Sequence, residues 1–452
     1  MNQNLTTGSV GRNLLFFSLP YLLSYFLQTL YGMADLWIIG QFEGVASTTA
    51  VSIGSQIMHM ITVMIVGLTM GTTVCVGRAA GSGSKEQAAQ IAGNTAVLFL
   101  SLSAAAAGVL FLGIRPILSI LSVPEAAREG TAAYLGICFL GIPFITAYNI
   151  SSAIFRGMGD SKRPMYFVAV ACGVNIALDY LFMGALHLGP AGAALGTTCS
   201  QAVSAVIALS VLLRRRSIPL RQSAFRPRYR VMKRLLSIGL PVSLQDGLIQ
   251  VSFLVITVIA NRRGLNDAAA VGIVEKIISF LFLVPSSMLS AVSVLGAQNL
   301  GAGKPARAIQ TLRYAASAAA GFGVLAALAV QFTAEPIVSL FTDRTTAEGA
   351  AVVLLGGQYL RGYIWDCVFA GIHFSFSGYF CACGKSGLSF LHNILAIVLV
   401  RIPGVYLTSH LFPNTLFPMG LATAAGSFLS ALICAAAFAL LFRTKKRTEA
   451  VI

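Results

Sequence analysis

Along this chain, apolar runs of more than about twenty residues are broken at near-regular intervals by short polar segments. Twelve such runs occur, at roughly 14–36, 50–75, 89–113, 131–155, 165–186, 191–213, 235–260, 268–295, 311–332, 352–380, 387–410 and 418–442. Each supplies the ~20 apolar residues that a helix needs to cross a hydrocarbon core ~30 Å thick. The period-two alternation of a transmembrane β-barrel is absent. The pattern therefore predicts twelve membrane-spanning helices, and their many Gly, Ala and Ser residues predict close helix packing.

The polar breaks set the expected topology. With the N-terminus placed inside, 23 of the 31 Lys and Arg residues fall on the cytoplasmic side and 5 on the other; Lys276, Arg361 and Arg401 lie within runs. This positive-inside bias predicts a multi-pass membrane protein with both termini cytoplasmic. Only 10% of residues are charged, against about 25% in soluble domains. The net charge of +16 is thus assigned to membrane topology, and no nucleic-acid partner is expected. The first apolar run is too long for the core of a cleaved signal peptide and lacks a small-residue cleavage site. The eight Cys lie in or beside runs and read as packing residues rather than a disulfide set. The triplet Cys381–Cys383 lacks the accompanying His or acid pattern of a metal site.

The longest polar connector, 214–234, carries nine Lys or Arg residues and divides the chain into 1–213 and 235–452, six runs each. The halves repeat weakly. "FSLPYLL" matches "IGLPVSL" (Pro20 with Pro241), "GSGSKEQA" matches "GAGKPARA" (Gly83 with Gly303), and "RGMGDSKRP" matches "CACGKSGLS" (Gly159 with Gly384). The offsets are 221, 220 and 225. A repeat with an even number of spans predicts two like-oriented six-helix bundles related by a pseudo-two-fold along the membrane normal. The repeated glycines sit where a helix ends in a left-handed cap. "GKS" at 384–386 lacks the earlier Gly of a phosphate-binding loop, since Tyr379 stands there, so ATP is not expected to drive this chain.

Five of the fifteen acids fall within runs: Asp35, Asp179, Asp246, Glu275 and Asp366. A carboxylate at mid-bilayer costs about 2.5–3.5 kcal/mol, so each is expected to face an interior cavity, a partner or a proton. The repeat mates are not acidic: Asp35 maps to Ile256, Asp179 to Gly404, Asp246 to Tyr25 and Asp366 to Gly141. A packing demand shared by the halves therefore does not explain them. Asn175 and Asp179 are i and i+4 on one helix face. Asp35 is expected in the outer half of the first run, and Thr197 and Thr198 about seven residues below the outer surface, giving hard oxygen ligands suited to Na⁺ or a shared proton. The competing reading makes Asp179 a structural interhelical hydrogen bond and Asp35 an interfacial residue. In the second half, Asp246, flanked by Gln245 and Gln250, and Asp366 lie near the midplane, and Arg401 is an available counter-charge; an Asp–Arg pair that only fixes packing competes with function there. Glu275 and Lys276 read as interfacial. His59, His373 and His392 read as lone packing histidines.

Together "YGMADLWIIGQF", "IFRGMGDSKRP", "NIALDYLF", "GPAGAALGTT", "AQNLGAG" and "VRIPGVYL" resemble the multidrug and toxic compound extrusion (MATE) family, in the expected order and over nearly the whole chain. The resemblance implies an all-α membrane fold of twelve helices in two six-helix lobes forming a V. It implies antiport of cationic or amphiphilic small molecules against Na⁺ or H⁺, with no other cofactor. Carried over by position, it places a cation site at Asp35, Asn175, Asp179 and Thr197, with Tyr134 and Asn149 nearby. Some relatives emphasise acids in spans 7 and 10, which Asp246 and Asp366 resemble, although a Glu is usual in span 7. Gln245, Gln250 and Arg401 complete the cavity candidates. The chain is expected to work as a monomer in contact with membrane lipid. The alternative is a flippase or exporter of lipid-linked or polymer precursors, which the count of twelve spans disfavours. An intramembrane enzyme is not expected, because neither HExxH nor GxSxG occurs.

Overall fold

The computed structural model describes residues 5–214, 219 and 221–449, with side chains through residue 441. Among the described residues all regular structure is helical. We label the spans α1 (Val10–Phe42), α2 (Val45–Gly81), α3 (Lys85–Leu112), α4 (Glu125–Leu140 and Ile142–Gly157), α5 (Lys162–Ala185), α6 (Gly189–Arg214), α7 (Tyr229–Arg263), α8 (Leu265–Gly301), α9 (Pro305–Val338), α10 (Ala347–Tyr363 and Asp366–Ala382), α11 (Ser386–Leu411) and α12 (Phe417–Glu449). Ten are continuous helices long and apolar enough to cross a membrane, and α4 does so as a pair bent by 45°. The remaining predicted span is realised as the two helices of α10, whose break sets Asp366 in the first turn of the second. There the helix dipole favours a negative charge.

The contacts divide the chain into two compact units. Unit 1 takes Phe16–Ser243 with Ala297–Gly303, and unit 2 takes Leu244–Gly296 with Lys304 onward. Unit 1 packs around Ile38, Val51, Tyr134, Leu135 and Phe139. Unit 2 packs around Ile256, Val271, Tyr359, Tyr363 and Val405. Large apolar side chains such as Leu112 and Phe332 point outward, as a bilayer solvent permits.

The glycines paired by the repeat share one conformation. Gly83 and Gly303 have φ of 74° and 70°, and Gly159 and Gly384 have 87° and 74°. Each donates its N–H back to the helix it ends, to Ala80, Leu300, Arg156 and Cys381 respectively. A side chain with a Cβ would strain all four.

Two local features are invisible in the apolar pattern. The fifth span of each half contains a π-helical turn, Tyr180–Ala185 in α5 and Ile397–Arg401 in α11. Such turns frequently mark functional sites, and these lie beside Asp179 and at Arg401. The connector 214–234 is also not a free strand of charge where it is described. Asn94 on α3 donates to the carbonyls of Ala224 and Arg226 (3.2 Å each) and accepts from the Arg228 N–H at 2.7 Å. Residues 215–218 and 220 of that connector lie outside the described residues.

Candidate ion-coupling site

Three helices of unit 1 converge on two carboxylates. Late in α1, Asp35 is 3% exposed; at the start of the π turn of α5, Asp179 is fully buried, and Asn175 lies one turn before it. On α6, Thr197 donates its hydroxyl to Asp35 Oδ2 at 3.3 Å. The Asp35 carboxyl also lies near Asp179 and Asn175, with no hydrogen bond joining it to either. Its neighbour on α6, Gly196, is required for space: a Cβ there would collide with Asp179 Oδ1. Small residues on α6 thus let the α5 carboxylate press against that helix.

The satisfaction of these groups is incomplete. Asp35 Oδ1, both oxygens of Asp179 and both side-chain polar atoms of Asn175 are buried and have no protein partner. Buried polar atoms almost always have one, and an ionised carboxylate can only accept. Two adjacent carboxylates therefore cannot satisfy one another unless a proton or cation lies between them. Among the described residues no Lys, Arg or His faces either group. The donor set is oxygen-rich: two carboxylates, an amide oxygen and a hydroxyl, which suits a hard monovalent cation or a shared proton.

The other unit 1 candidates surround this centre differently. Tyr134 is buried against Gly54 and close enough to Asp35 to sense its charge. Tyr31, one turn before Asp35, accepts from Gln201 at 3.4 Å and also lies near that carboxylate; its i, i+4 spacing with Asp35 could have flagged it. Asn149 donates its amide to the Ile145 carbonyl of its own helix at 2.8 Å.

Unit 2 disperses its candidates. Asp366 is fully buried and pairs with Arg401 at 3.4 Å. Arg401 also donates to Tyr363 Oη at 2.8 Å and lies 5.1 Å from the Phe253 ring. Gln245 accepts from Ser389 at 2.6 Å, and Gln250 is half-buried. Asp246 is half-buried, and no charged side chain faces it among the described residues.

Two expectations need correction. Glu275 is not interfacial: its Oε2 accepts from Thr257 at 3.3 Å, its Oε1 is buried, and it faces the charge of Arg401. Lys276 is exposed, because successive helix residues diverge by about 100° and the two therefore belong to different faces. Nor are His373 and His392 solitary. Their rings stand 5.4 Å apart, and His392 bonds Ser377 at 2.8 Å and Ser430 at 3.2 Å. Those partners come from other helices, so spacing along α10 or α11 does not reveal them.

Known proteins share this arrangement of helices. "Probable multidrug resistance protein YpnP" of Bacillus subtilis (strain 168) is 26% identical over 398 residues, covering 88% of each chain. "Probable multidrug resistance protein YoeA" of the same organism is 27% identical over 420 residues, covering 91% of this chain and 89% of the relative. Among solved structures, a MATE protein crystallised in complex with MaL6 superposes with a TM-score of 0.91 at 21% identity, over 98% of this chain and 99% of that one; at that identity the likeness speaks for the fold. The MatE family model matches residues 20–181 and 241–407, one segment in each half. These matches span well over half of the sequence, and the chain belongs to the MatE family.

Proposed function

We propose that this protein is an ion-coupled antiporter that exports cationic or amphiphilic small molecules, with Asp35, Asn175, Asp179 and Thr197 as the coupling site. One observation carries the reading: two buried, adjacent carboxylates in unit 1 face no basic side chain among the described residues and leave three of their four oxygens without a protein partner. Two like charges about 4 Å apart repel by roughly 4 kcal/mol at an effective dielectric constant near 20. A site under that load gains strongly when Na⁺ or H⁺ enters it. The names and source of the Bacillus subtilis relatives, both multidrug resistance proteins, support the cargo class and a bacterial cytoplasmic membrane, and the charge bias of the loops supports both termini inside.

The coupling follows from where the acids sit. With the site open to the outside, Na⁺ takes oxygen ligands from Asp35, Asp179, Asn175 and Thr197, or a proton bridges the two carboxyls. Either event removes the repulsion between the α1 and α5 carboxylates and lets the π turn after Asp179 repack. The repacked unit holds cargo less well, and cargo leaves to the outside. Alternating access then carries the empty cavity inward, where the ion dissociates. Aromatic faces suit a cationic, apolar cargo.

The test is flux in proteoliposomes. Efflux of a cationic dye should follow an imposed Na⁺ or pH gradient for the native chain and lose that dependence in Asp179→Asn. Gradient-driven efflux at native rate by Asp179→Asn would remove this site from the mechanism, and failure of every cationic dye would remove the cargo class.

A further inference from the structure

We infer that the α7–α11 face of unit 2 holds one phospholipid with an anionic headgroup, in the leaflet reached by the C-terminal end of α7. A groove of ≈ 710 Å³ runs between these helices, within the range of ligand pockets. Its walls are apolar and open. Val251, Leu254 and Val258 on α7 are 45%, 50% and 50% exposed, and Tyr406 on α11 is 51% exposed. These residues recur every three or four positions, so each helix presents one continuous face. From Val251 to Arg262 the groove spans about eleven residues, roughly 17 Å at 1.5 Å per residue. Half of a ~30 Å hydrocarbon core is about 15 Å. The groove therefore reaches from the membrane midplane to headgroup level, the depth of one leaflet.

The headgroup end is cationic. Arg262 and Arg263 both line the rim. Arg263 is committed: it pairs with Asp267 at 2.9 Å and donates to the carbonyls of Ser409, Phe412, Pro413 and Thr415. These bonds hold the turn after α11 as a fixed end wall. Arg262 is exposed, and among the described residues no acid pairs with it. Two guanidinium groups against one carboxylate leave a positive excess where a phosphate would lie. A water-soluble ligand would find few polar atoms along the walls. A molecule with an apolar body one leaflet long and a negative end matches both parts of the groove.

The experiment is native mass spectrometry of the full chain in mild detergent. It is titrated with phosphatidylglycerol or with phosphatidylcholine of the same acyl chains. The native protein should retain one phosphatidylglycerol at concentrations where phosphatidylcholine is largely absent. Arg262→Gln should weaken phosphatidylglycerol retention about fivefold, the factor that ~1 kcal/mol per arginine at an anionic surface corresponds to. Val258→Trp, which fills the groove, should reduce retention of both lipids, and Arg344→Gln, an exposed arginine outside the groove, should change neither. Equal retention of the two lipids overturns the inference, as does unchanged phosphatidylglycerol binding in Arg262→Gln. Displacement of the lipid by an equal concentration of glycerol phosphate would make this a site for a free anion and overturn the assignment equally.

Discussion

Replacing Asp179 by Asn should stabilise the folded protein while destroying its coupling, a combination that a structural aspartate would not give. Asn is nearly isosteric, so the close seat against Gly196 survives. The substitution deletes one of two adjacent buried carboxylates. It also adds an amide donor next to Asp35 Oδ1, which has no protein partner. A hydrogen bond to a charged acceptor contributes about 1.5–3 kcal/mol, and relief of the repulsion between two adjacent like charges contributes up to roughly 4 kcal/mol. A proton or ion already offsets part of that repulsion in the native protein, so a net gain of about 1–3 kcal/mol is expected. At about 2–4 °C per kcal/mol for a unit of this size, the midpoint of thermal unfolding should rise by several degrees.

The assay is the fraction of detergent-solubilised protein that survives heating, read by size-exclusion chromatography. A ligand that binds only the folded state adds RT ln(1 + [L]/Kd), about 2.7 kcal/mol at a hundredfold excess over Kd. Added Na⁺ at fixed pH should therefore raise the native midpoint if Na⁺ is the coupling ion, and lower pH without Na⁺ should raise it if the proton is. Asp179→Asn should show a higher starting midpoint and a flat response to both. A lower midpoint in Asp179→Asn, together with a native response to Na⁺ or pH, would refute the reasoning, because Asp179 would then be satisfied by contacts of its own.

Other substitutions separate the site from its scaffold. Gly196→Ala should cost about 1–3 kcal/mol through overpacking and impair dye flux by displacing Asp179, whereas Gly173→Ala on α5, with open space around it, should be close to neutral in both. Arg401→Gln should destabilise by about 3–5 kcal/mol by stranding Asp366; the double variant with Asp366→Asn should recover much of the folded yield. Asn94→Ala removes three bonds to the connector, about 1 kcal/mol each, and should speed tryptic cleavage between Arg221 and Arg228 without changing the gradient dependence of flux.

What the sequence reveals of this fold follows from which forces act locally. The bilayer demands long apolar helices, so the spans are legible, and the left-handed caps at Gly83, Gly159, Gly303 and Gly384 are legible because only glycine adopts them cheaply. The face shared by Asn175 and Asp179 follows from helical spacing alone. The rest depends on neighbours distant in the chain. Nothing near Asn94 announces that it will hold residues 224–228, some 130 positions away. Glu275 reads as a surface acid until α7 brings Thr257 to it, and His392 as a lone ring until Ser377 and Ser430 arrive from two other helices. The π turns are hidden for another reason: one extra residue in a helical turn barely changes an apolar average.

The two halves use one scaffold to different electrostatic ends. Both place a π turn in their fifth span, beside a buried charge. In unit 2 that charge is Arg401, already engaged by Asp366, by the hydroxyl and ring of Tyr363 and by the ring of Phe253. An ion or proton arriving at Asp366 would have to break this pair, and what it gained from the carboxylate would be lost at the guanidinium. In unit 1 the charge is Asp179, beside a second acid and with no basic partner among the described residues. A cation arriving there displaces nothing and removes repulsion. On the proposed mechanism the free energy of unit 1 changes by roughly 4 kcal/mol on ion entry, while that of the Asp366–Arg401 pair changes little. A coupling device needs that difference between occupied and empty states, since a ligand shifts a conformational equilibrium only by its differential affinity for the two states.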